Sequence, residues 1–145
     1  MKIETVSGRE IECNRRLRDS LNAYHTAKSP HFKNHFSKYT FEKWIERMKR
    51  RDRLIAYVAK DNDEGVGYCV ATVHGLIGEI ASLFVSEEYR GKGVGEELVS
   101  LALKWLEGQE CEAIKVSIVV GNENVLDFYR KFGFTEKIVV MQKNA

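Results

Sequence analysis

The amino-terminal part of the chain carries its apolar residues at helical spacing. Ile11, Leu17, Leu21 and Tyr24 are the apolar marks of a first segment, residues 8–24. Between residues 41 and 50, apolar side chains recur at helical spacing and would share one side of a helix. Thr40 precedes the second segment and suits an N-cap. A polar, aromatic-rich stretch with the only proline, Pro30, separates the two segments. The pattern predicts two helices joined by a loop.

From residue 54 onward the pattern changes to short runs that are typical of strands. The runs over 54–59, 66–73 and 79–85 are rich in β-branched and aromatic residues, and Gly, Asp and Asn lie between them. Connections this short can join antiparallel strands but not parallel ones. The three runs therefore predict an antiparallel meander.

The remaining third of the chain alternates between helix and strand patterns. An apolar stripe predicts a helix over 93–107, and β-branched residues predict a strand over 113–120. A short helix is expected over 122–133, followed by a last strand over 134–141. This order predicts one α/β domain over residues 1–145, with helices on both faces of a mixed, largely antiparallel sheet.

Composition and charge exclude several classes of protein. Hydrophobic residues make up 43% and charged residues 30% of the chain, which is unlike a disordered segment. The net charge of +2 is too small to indicate a nucleic-acid partner. No apolar run approaches the roughly 18 residues of a membrane span, and the first residues lack the apolar core of a signal peptide.

The cysteines indicate the compartment. Cys13, Cys69 and Cys111 are odd in number and show no C-x-x-C spacing, which disfavours a disulfide framework or a structural zinc site. Reduced thiols are typical of a cytoplasmic protein, the location that we expect.

The most informative segment is the glycine-rich connection that leads into the helix after the meander. Gly91, Gly93 and Gly95 alternate there, so the backbone can take unusual dihedral angles and can be approached closely. The first helical turn offers unpaired N–H groups and the positive end of the helix dipole. Arg90 and Lys92 add positive charge. Together these features predict an anion site that suits a pyrophosphate.

Two related glycine motifs do not fit this segment. A P-loop requires Ser or Thr after its Gly-Lys pair, and Gly93 follows Lys92 here. The dinucleotide motif G-x-G-x-x-G requires a third glycine at position 96 or 98, where Glu96 and Leu98 stand. The simpler alternative is a glycine-rich connection that binds no ligand. Three alternating glycines beside two basic residues disfavour this alternative.

Two blocks resemble the GNAT superfamily of N-acetyltransferases. The motif that begins at Arg90 matches the R/Q-x-x-G-x-G/A signature of that family. A second block, beginning at Asn122, is similar to the family pattern N-x-x-A-x-x-x-Y-x-x-x-G-F, with Val125 in place of the usual alanine. The specific resemblance covers about residues 79–134.

The resemblance implies a splayed sheet and direct transfer of the acetyl group of acetyl-CoA to a primary amine of a small molecule, peptide or protein. The pantetheine arm would lie between the strands that end at Val85 and Val120. Backbone groups of the first strand would bond its amides, and the glycine-rich turn would hold the pyrophosphate. The implied cofactor-binding residues are Leu83, Phe84, Val85, Arg90, Gly91, Lys92, Gly93, Val94, Gly95, Asn122 and Tyr129.

Amide formation from a thioester requires a neutral amine, and an alkyl amine with a pKa near ~10.4 is mostly protonated at pH 7. Glu79 is the candidate base, because a glutamate at the corresponding place serves this role in some family members. A solvent-exposed glutamate at a strand start is the alternative. Side chains alternate along a strand, so Glu79 is expected on the same face as Ala81, Leu83 and Val85, unless a bulge intervenes.

Tyr129 is the candidate acid that protonates the departing thiolate, since a phenol stays protonated at pH 7. Its helical spacing to Val125 and Phe132 is also compatible with simple packing. The backbone N–H of Phe84 or Val85 is a candidate donor to the thioester oxygen. No activated thiol is apparent, so a cysteine-bound acyl group is disfavoured.

The acceptor is not determined by the sequence. The aromatic-rich loop contains His25, His31 and His35, whose spacing fits substrate-lining roles better than a metal site, and we expect no metal, nucleic-acid or membrane partner. A monomer and a homodimer both stay open. A non-catalytic acyl-CoA-binding module, used as a sensor or an interaction domain, is the alternative function.

Overall fold

A five-stranded sheet is the centre of the fold. The computed structural model describes residues 1–6, 18–19, 40–118 and 123–144. The strands follow one another across the sheet in chain order: β1 (Lys2–Val6), β2 (Arg53–Asp61), β3 (Glu64–His74), β4 (Ile77–Val85) and β5 (Ala113–Val116).

The first four strands are antiparallel, and β5 runs parallel to β4. Asn62 and Asp63 form the turn between β2 and β3, with φ angles of 51° and 66°. Two-residue hairpin turns favour such positive φ angles, which Asn and Asp tolerate. The longer connection between β4 and β5 contains a helix, as a parallel crossover requires.

Three α-helices are described: α1 (Phe41–Lys49), α2 (Val94–Glu107) and α3 (Leu126–Arg130). The Thr40 side chain caps α1 by accepting a hydrogen bond from the Lys43 N–H at 3.3 Å. A 3₁₀ turn, Glu123–Val125, leads directly into α3. None of the helices within the described ranges has both the length and the apolar character needed to cross a membrane.

Each face of the sheet has its own apolar core. The α1 face, named for the helix that covers it, is formed by Val6, Phe41, Trp44, Ile45, Met48, Ala56, Val58, Tyr68, Val70 and Phe84. On the opposite α2 face, the buried residues are Tyr57, Ala59, Val66, Cys69, Ala71, Val73, Ile80, Val94, Leu98, Val99, Ala102, Leu106 and Tyr129. Helices therefore cover both faces, and the predicted mixed, largely antiparallel α/β fold is confirmed.

The local predictions vary in accuracy. The helices predicted over 41–50 and 93–107 and the three strands of the meander are confirmed, and each strand extends at most two residues beyond a predicted end. β1 was not predicted, because a five-residue strand with mixed polarity carries little periodic signal. The predicted helix over 8–24 lies outside the described residues except at 18–19, which are helical.

The predicted strand over 134–141 is wrong, because this segment has no secondary structure. Its composition favours a strand, but strand propensity mostly reflects packing on a neighbouring strand. Here no described strand pairs with the segment. The strand predicted over 113–120 is confirmed as far as Val116, and residues 119–122 lie outside the described part of the chain. That residues 1–145 form one domain stays a prediction.

Candidate active site

A β-bulge in β4 decides which face Glu79 occupies. Val70 of β3 pairs with Ser82, but the next residue, Ala71, pairs with Ile80, so Ala81 is the extra residue. A bulge of this kind shifts the alternation of side chains by one position. Glu79 pairs with Thr72 of β3.

The bulge overturns the predicted alternation. Thr72 lies between Ala71 and Val73, which both belong to the α2 face, so Thr72 and its partner Glu79 point to the α1 face. Leu83 packs against the α2 face. The prediction that Glu79 shares a face with Leu83 and Val85 is therefore wrong.

A cleft opens where β4 and β5 separate. The two strands pair only from Ile77 to Ile80 on β4, opposite Ala113 to Val116 on β5. Beyond that point the β5 side of β4 has no strand partner among the described residues. The cleft is thus bordered by the last five residues of β4.

Backbone groups of β4 point into this cleft. The Ser86 N–H donates to the Val66 carbonyl of β3 at 2.8 Å. Because successive residues direct their N–H and C=O groups to alternate edges, Phe84 also faces β3, whereas Leu83 and Val85 face the cleft. Of the two candidate donors to a thioester oxygen, the Val85 N–H is the one on the cleft side.

The glycine-rich turn lies at the end of this cleft. Gly91 and Gly93 have φ angles of 74° and 83°, and a Cβ atom at either position would meet nothing within 4 Å. Gly93 is the N-cap of α2, and its carbonyl accepts a hydrogen bond from the Glu97 N–H at 3.1 Å. The turn therefore exposes open backbone at a helix N-terminus, which fits a phosphate group.

Gly95 differs from the other two glycines. A Cβ atom there would lie 3.6 Å from Val85 Cγ2 and 3.8 Å from the Phe128 ring. Val94 beside it is buried in the α2 face. The first turn of α2 is thus packed between β4 and α3, which holds its N-terminus at the cleft.

The basic residues of the turn have partners within the protein. Arg90 donates from Nε to the Val85 carbonyl at 2.8 Å, and its guanidinium lies over the Phe84 ring at 5.4 Å. Lys92 places Nζ 5.6 Å from the centre of the Tyr89 ring. Arg90 therefore stabilises the end of β4 as well as adding charge to the turn.

The hydroxyl of Tyr89 donates to Asp61 Oδ2 at 2.7 Å, which ties the turn to the β2–β3 hairpin. This hydrogen bond raises the pKa of Tyr89. The contact was not predicted, since the two residues are 28 positions apart in sequence.

Tyr129 lies on the α2 face with 6% of its surface exposed. Its ring makes edge contacts with Phe128 and Phe134, at centroid distances of 5.1 and 5.7 Å. Burial raises the pKa of the Tyr129 hydroxyl, and the neighbouring Cys69 adds to the effect. No described residue makes a hydrogen bond to this hydroxyl, so its proton is available to a ligand.

Glu79 lies on the opposite face of β4 and is 9% exposed. Lys115 of β5 pairs with it across the sheet and places Nζ 3.7 Å from Glu79 Oε2. Sequence analysis missed Lys115, because nothing in the sequence indicates the register of a parallel strand pair. Glu79 and Tyr129 therefore lie on opposite faces of the sheet, with β4 between them.

Several predicted residues take no part in this described geometry. Asn122, Cys13 and the three histidines of the aromatic-rich loop lie outside the described residues. Within the residues that the structure describes, no cluster of potential metal ligands occurs. Cys69 is fully buried, and burial raises the pKa of its thiol to about 12, which makes it a poor nucleophile at neutral pH.

Comparison with known proteins identifies the family. Residues 15–134 match the model of the Acetyltransferase (GNAT) family. The chain belongs to this family. The GNAT resemblance inferred from the two sequence blocks is thereby confirmed.

Two curated relatives are informative. An N-alpha-acetyltransferase 30 of Schizosaccharomyces pombe is 31% identical over 104 residues, which cover 68% of this chain and 67% of that protein. An uncharacterised N-acetyltransferase of Methanocaldococcus jannaschii is 26% identical over 132 residues, covering 86% of this chain. The GNAT chain spans 58% of the length of the M. jannaschii protein.

Solved structures show the same fold. A putative acetyl transferase from Pyrococcus furiosus matches 99% of this chain and 100% of its own, with a TM-score of 0.77 at 20% identity. An aminoglycoside N-acetyltransferase in complex with CoA matches 99% and 100%, with a TM-score of 0.66 at 17% identity. At these identities the likeness concerns the fold.

Proposed function

We propose that this GNAT chain transfers the acetyl group of acetyl-CoA to the α-amino group of a peptide or protein. One observation carries the proposal. β4 loses its β5 partner just beyond Glu79 and Ile80 and then runs on to an open glycine turn at the N-terminus of α2, while Tyr129 lies on the face of the sheet opposite Glu79.

The described residues fit the proposed cofactor. Leu83 directs its backbone N–H and C=O into the cleft, where they would pair with an amide of a pantetheine arm. Val85 adds its N–H, since its carbonyl already accepts a hydrogen bond from Arg90 Nε. Gly91 and Gly93 leave open space beside the N-terminal N–H groups of α2, where a pyrophosphate would bind. When bound, acetyl-CoA supplies the acetyl thioester; Asn122, which is outside the described residues, stays a predicted contact.

Two side chains would each transfer a proton, one accepting it from the amine and the other donating it to the sulfur. Glu79 would accept a proton from the acceptor amine, directly or through water, on the α1 face. On the α2 face, Tyr129 would donate a proton to the departing sulfur, and the Val85 N–H would donate to the carbonyl oxygen of the acetyl group. No cysteine is needed for this direct transfer, and the burial of Cys69 agrees with that.

The acceptor class rests on the relatives. The S. pombe protein is named an N-alpha-acetyltransferase, and it is more similar in sequence than the aminoglycoside N-acetyltransferase, which shares the fold at 17% identity. An α-amino group also has a pKa near ~8, so more of it is neutral at pH 7 than of an alkyl amine. We therefore place peptide amino termini ahead of polyamines and aminoglycosides.

A panel of amines tests this proposal. With acetyl-CoA present, free thiol should be released with peptides that carry a free amino terminus and not with the same peptides blocked by an N-formyl group. Internal lysines are kept in both sets, so the blocked peptides form the matched control. Equal thiol release with both sets of peptides would indicate that the acceptor is the lysine side chain. Release only with aminoglycosides or polyamines would refute the peptide class.

The panel also separates the enzyme from a non-catalytic acyl-CoA-binding module. Calorimetric binding of acetyl-CoA without thiol release in the presence of any amine would favour the binding module. Absence of both binding and release would contradict the proposed cofactor as well.

Gly93→Glu is expected to weaken acetyl-CoA binding at least tenfold, or by about 1.4 kcal/mol. The new carboxylate would stand at the N-terminus of α2 and repel the pyrophosphate. Gly75→Glu is the matched control, because Gly75 also has a positive φ, 61°, and open space around its Cβ position, but lies in the β3–β4 turn. Calorimetry should show near-normal affinity for the control. Equal affinities for the two variants would contradict the assignment of the turn.

A further inference from the structure

The candidate base Glu79 contacts a primary amine that belongs to the protein itself. Lys115 of β5 pairs with Glu79 of β4 across the sheet, and its Nζ lies 3.7 Å from Glu79 Oε2. A lysine side chain ends in a primary amine, which is the chemical class that the proposed reaction acetylates. The protein therefore places an amine of its own where the acceptor amine would have to lie.

The two partners of this ion pair differ in exposure. The Glu79 side chain is only 12% exposed, whereas the Lys115 side chain is 62% exposed. The packed surroundings of Glu79 hold its carboxylate in place, while an exposed lysine changes rotamer readily. Since ion pairs with an exposed partner are weak, the Lys115 amine can leave the carboxylate without disturbing the fold.

Lys115 also lies at the closed end of the cleft. β4 and β5 pair as far as Ile80 and Val116, and Lys115 is one residue before this last paired position. Its flexible four-carbon stem is about as long as two residues of a strand. The Lys115 amine can therefore reach from Glu79 to the first residues of β4 that border the cleft, where the acetyl thioester would lie.

We infer that Lys115 is a self-acetylation site, at which Nζ takes the place of the acceptor amine and receives the acetyl group within the same chain. The inference rests on the proposed acetyl transfer from acetyl-CoA. A bond forms between Nζ and the carbonyl carbon of the acetyl group, and the bond from that carbon to sulfur breaks. The lysine ammonium loses two protons. One passes to Glu79 and then to solvent, and the other replaces the proton that Tyr129 gives to the departing sulfur.

This reaction is slow and competes with transfer to the acceptor. An alkyl amine with an ordinary pKa near ~10.4 is mostly protonated at pH 7, whereas an α-amino group with a pKa near ~8 is more often neutral. A peptide amino terminus therefore reacts ahead of Lys115 when both compete for the place beside Glu79. Acetylated Lys115 accumulates when acetyl-CoA is abundant and the acceptor is scarce.

Mass spectrometry of the full chain, incubated with acetyl-CoA and no acceptor, tests the inference. Peptide mapping should place the added acetyl group on Lys115, and its rate of addition should not change when the protein is diluted, because transfer occurs within one chain. Lys115→Arg should abolish acetylation at this position, and Glu79→Gln should slow it about a hundredfold. A second probe, bromoacetyl-CoA, requires no acetyl transfer: the Lys115 amine should displace bromide and form a covalent adduct.

Lys60→Arg is the matched control. Lys60 is also a strand lysine that pairs with a carboxylate, since its Nζ lies 2.9 Å from Glu4 Oε2. It lies on β2, however, and two strands separate β2 from β5. The Lys60→Arg variant should become acetylated at Lys115 as fast as the wild type, and Lys60 itself should stay unmodified in the wild-type protein.

The amine panel, run on the same preparation, separates failure of this inference from failure of the proposed function. Thiol release with a peptide acceptor while Lys115 stays unmodified would overturn the inference alone. A rate proportional to protein concentration, an unchanged rate in Glu79→Gln, equal acetylation of Lys60, or bromoacetyl-CoA adducts only at residues other than Lys115 would overturn it as well. Absence of acetyl-CoA binding by calorimetry would contradict the proposed function and, with it, self-acetylation.

Discussion

Tyr129→Phe should lower the turnover number about a hundredfold, the lower end of the range for general acid catalysis. The variant keeps the ring and its edge contacts with Phe128 and Phe134. No described residue makes a hydrogen bond to the Tyr129 hydroxyl, so removing it leaves no buried polar group without its hydrogen-bond partner. Thermal stability and acetyl-CoA affinity should therefore stay close to those of the wild type.

The loss should also be nearly constant between about pH 7 and 9. Burial raises the pKa of the Tyr129 hydroxyl above its ordinary value near ~10, so the hydroxyl stays protonated throughout this range. A thiol pKa near ~8.5 makes the thiolate a tolerable leaving group, which is why the expected loss is not larger.

Tyr57→Phe is the matched control for this measurement. Tyr57 is another buried tyrosine of the α2 face, 8% exposed, and burial also raises its pKa. It lies on β2, two strands away from β4. Single-turnover kinetics should show a large loss for Tyr129→Phe and almost none for Tyr57→Phe. If both variants kept the wild-type single-turnover rate, Tyr129 would be a packing residue and water would be a better candidate for the acid.

Local patterns predicted much of this fold. The apolar stripe of α2 and the glycines before it lie close together in sequence, so their spacing alone indicates an anion site at a helix start. Tyr129 was identified through a family pattern that is equally local. Local patterns were less reliable for short strands, since β1 was not predicted and the strand predicted over 134–141 is wrong.

Features that depend on pairing were not predicted. The bulge at Ala81 leaves no signal in the sequence, and it moved Glu79 to the face opposite the predicted one. Lys115 comes within 3.7 Å of Glu79 only because β5 pairs with β4 in one particular register. The residues over 138–141 have a high strand propensity but no strand partner among the described residues. Strand propensity alone does not indicate whether a partner strand is present.

The bulge also has a consequence for the proposed chemistry. Because it separates Glu79 from Leu83 and Val85, the candidate base lies on the α1 face, while the candidate acid lies on the α2 face. An acceptor amine would then approach from the side of Glu79 and the sulfur would depart on the side of Tyr129. Proton removal and proton delivery would occur on opposite sides of the same strand.

Glu79→Gln should lower turnover about a hundredfold at pH 7, and the loss should shrink as the pH rises. Glutamine keeps the shape of the side chain but cannot accept the proton of the amine. Above the pKa of the acceptor, the amine is already neutral and needs no base. The wild-type and variant rates should therefore converge above about pH 8 for an α-amino group, but only above about pH 10.4 for a lysine side chain.

Two further variants separate catalysis from structure. Glu112→Gln removes an exposed carboxylate just before β5 and should leave the rate unchanged at every pH. Lys115→Met removes the ion pair with Glu79 but keeps the carboxylate. Since the Lys115 side chain is 62% exposed and solvent screens its charge, this variant should lose much less turnover than Glu79→Gln. If it reproduced the hundredfold loss, or if the Glu79→Gln defect were independent of pH, Glu79 would act through the ion pair and not as the base.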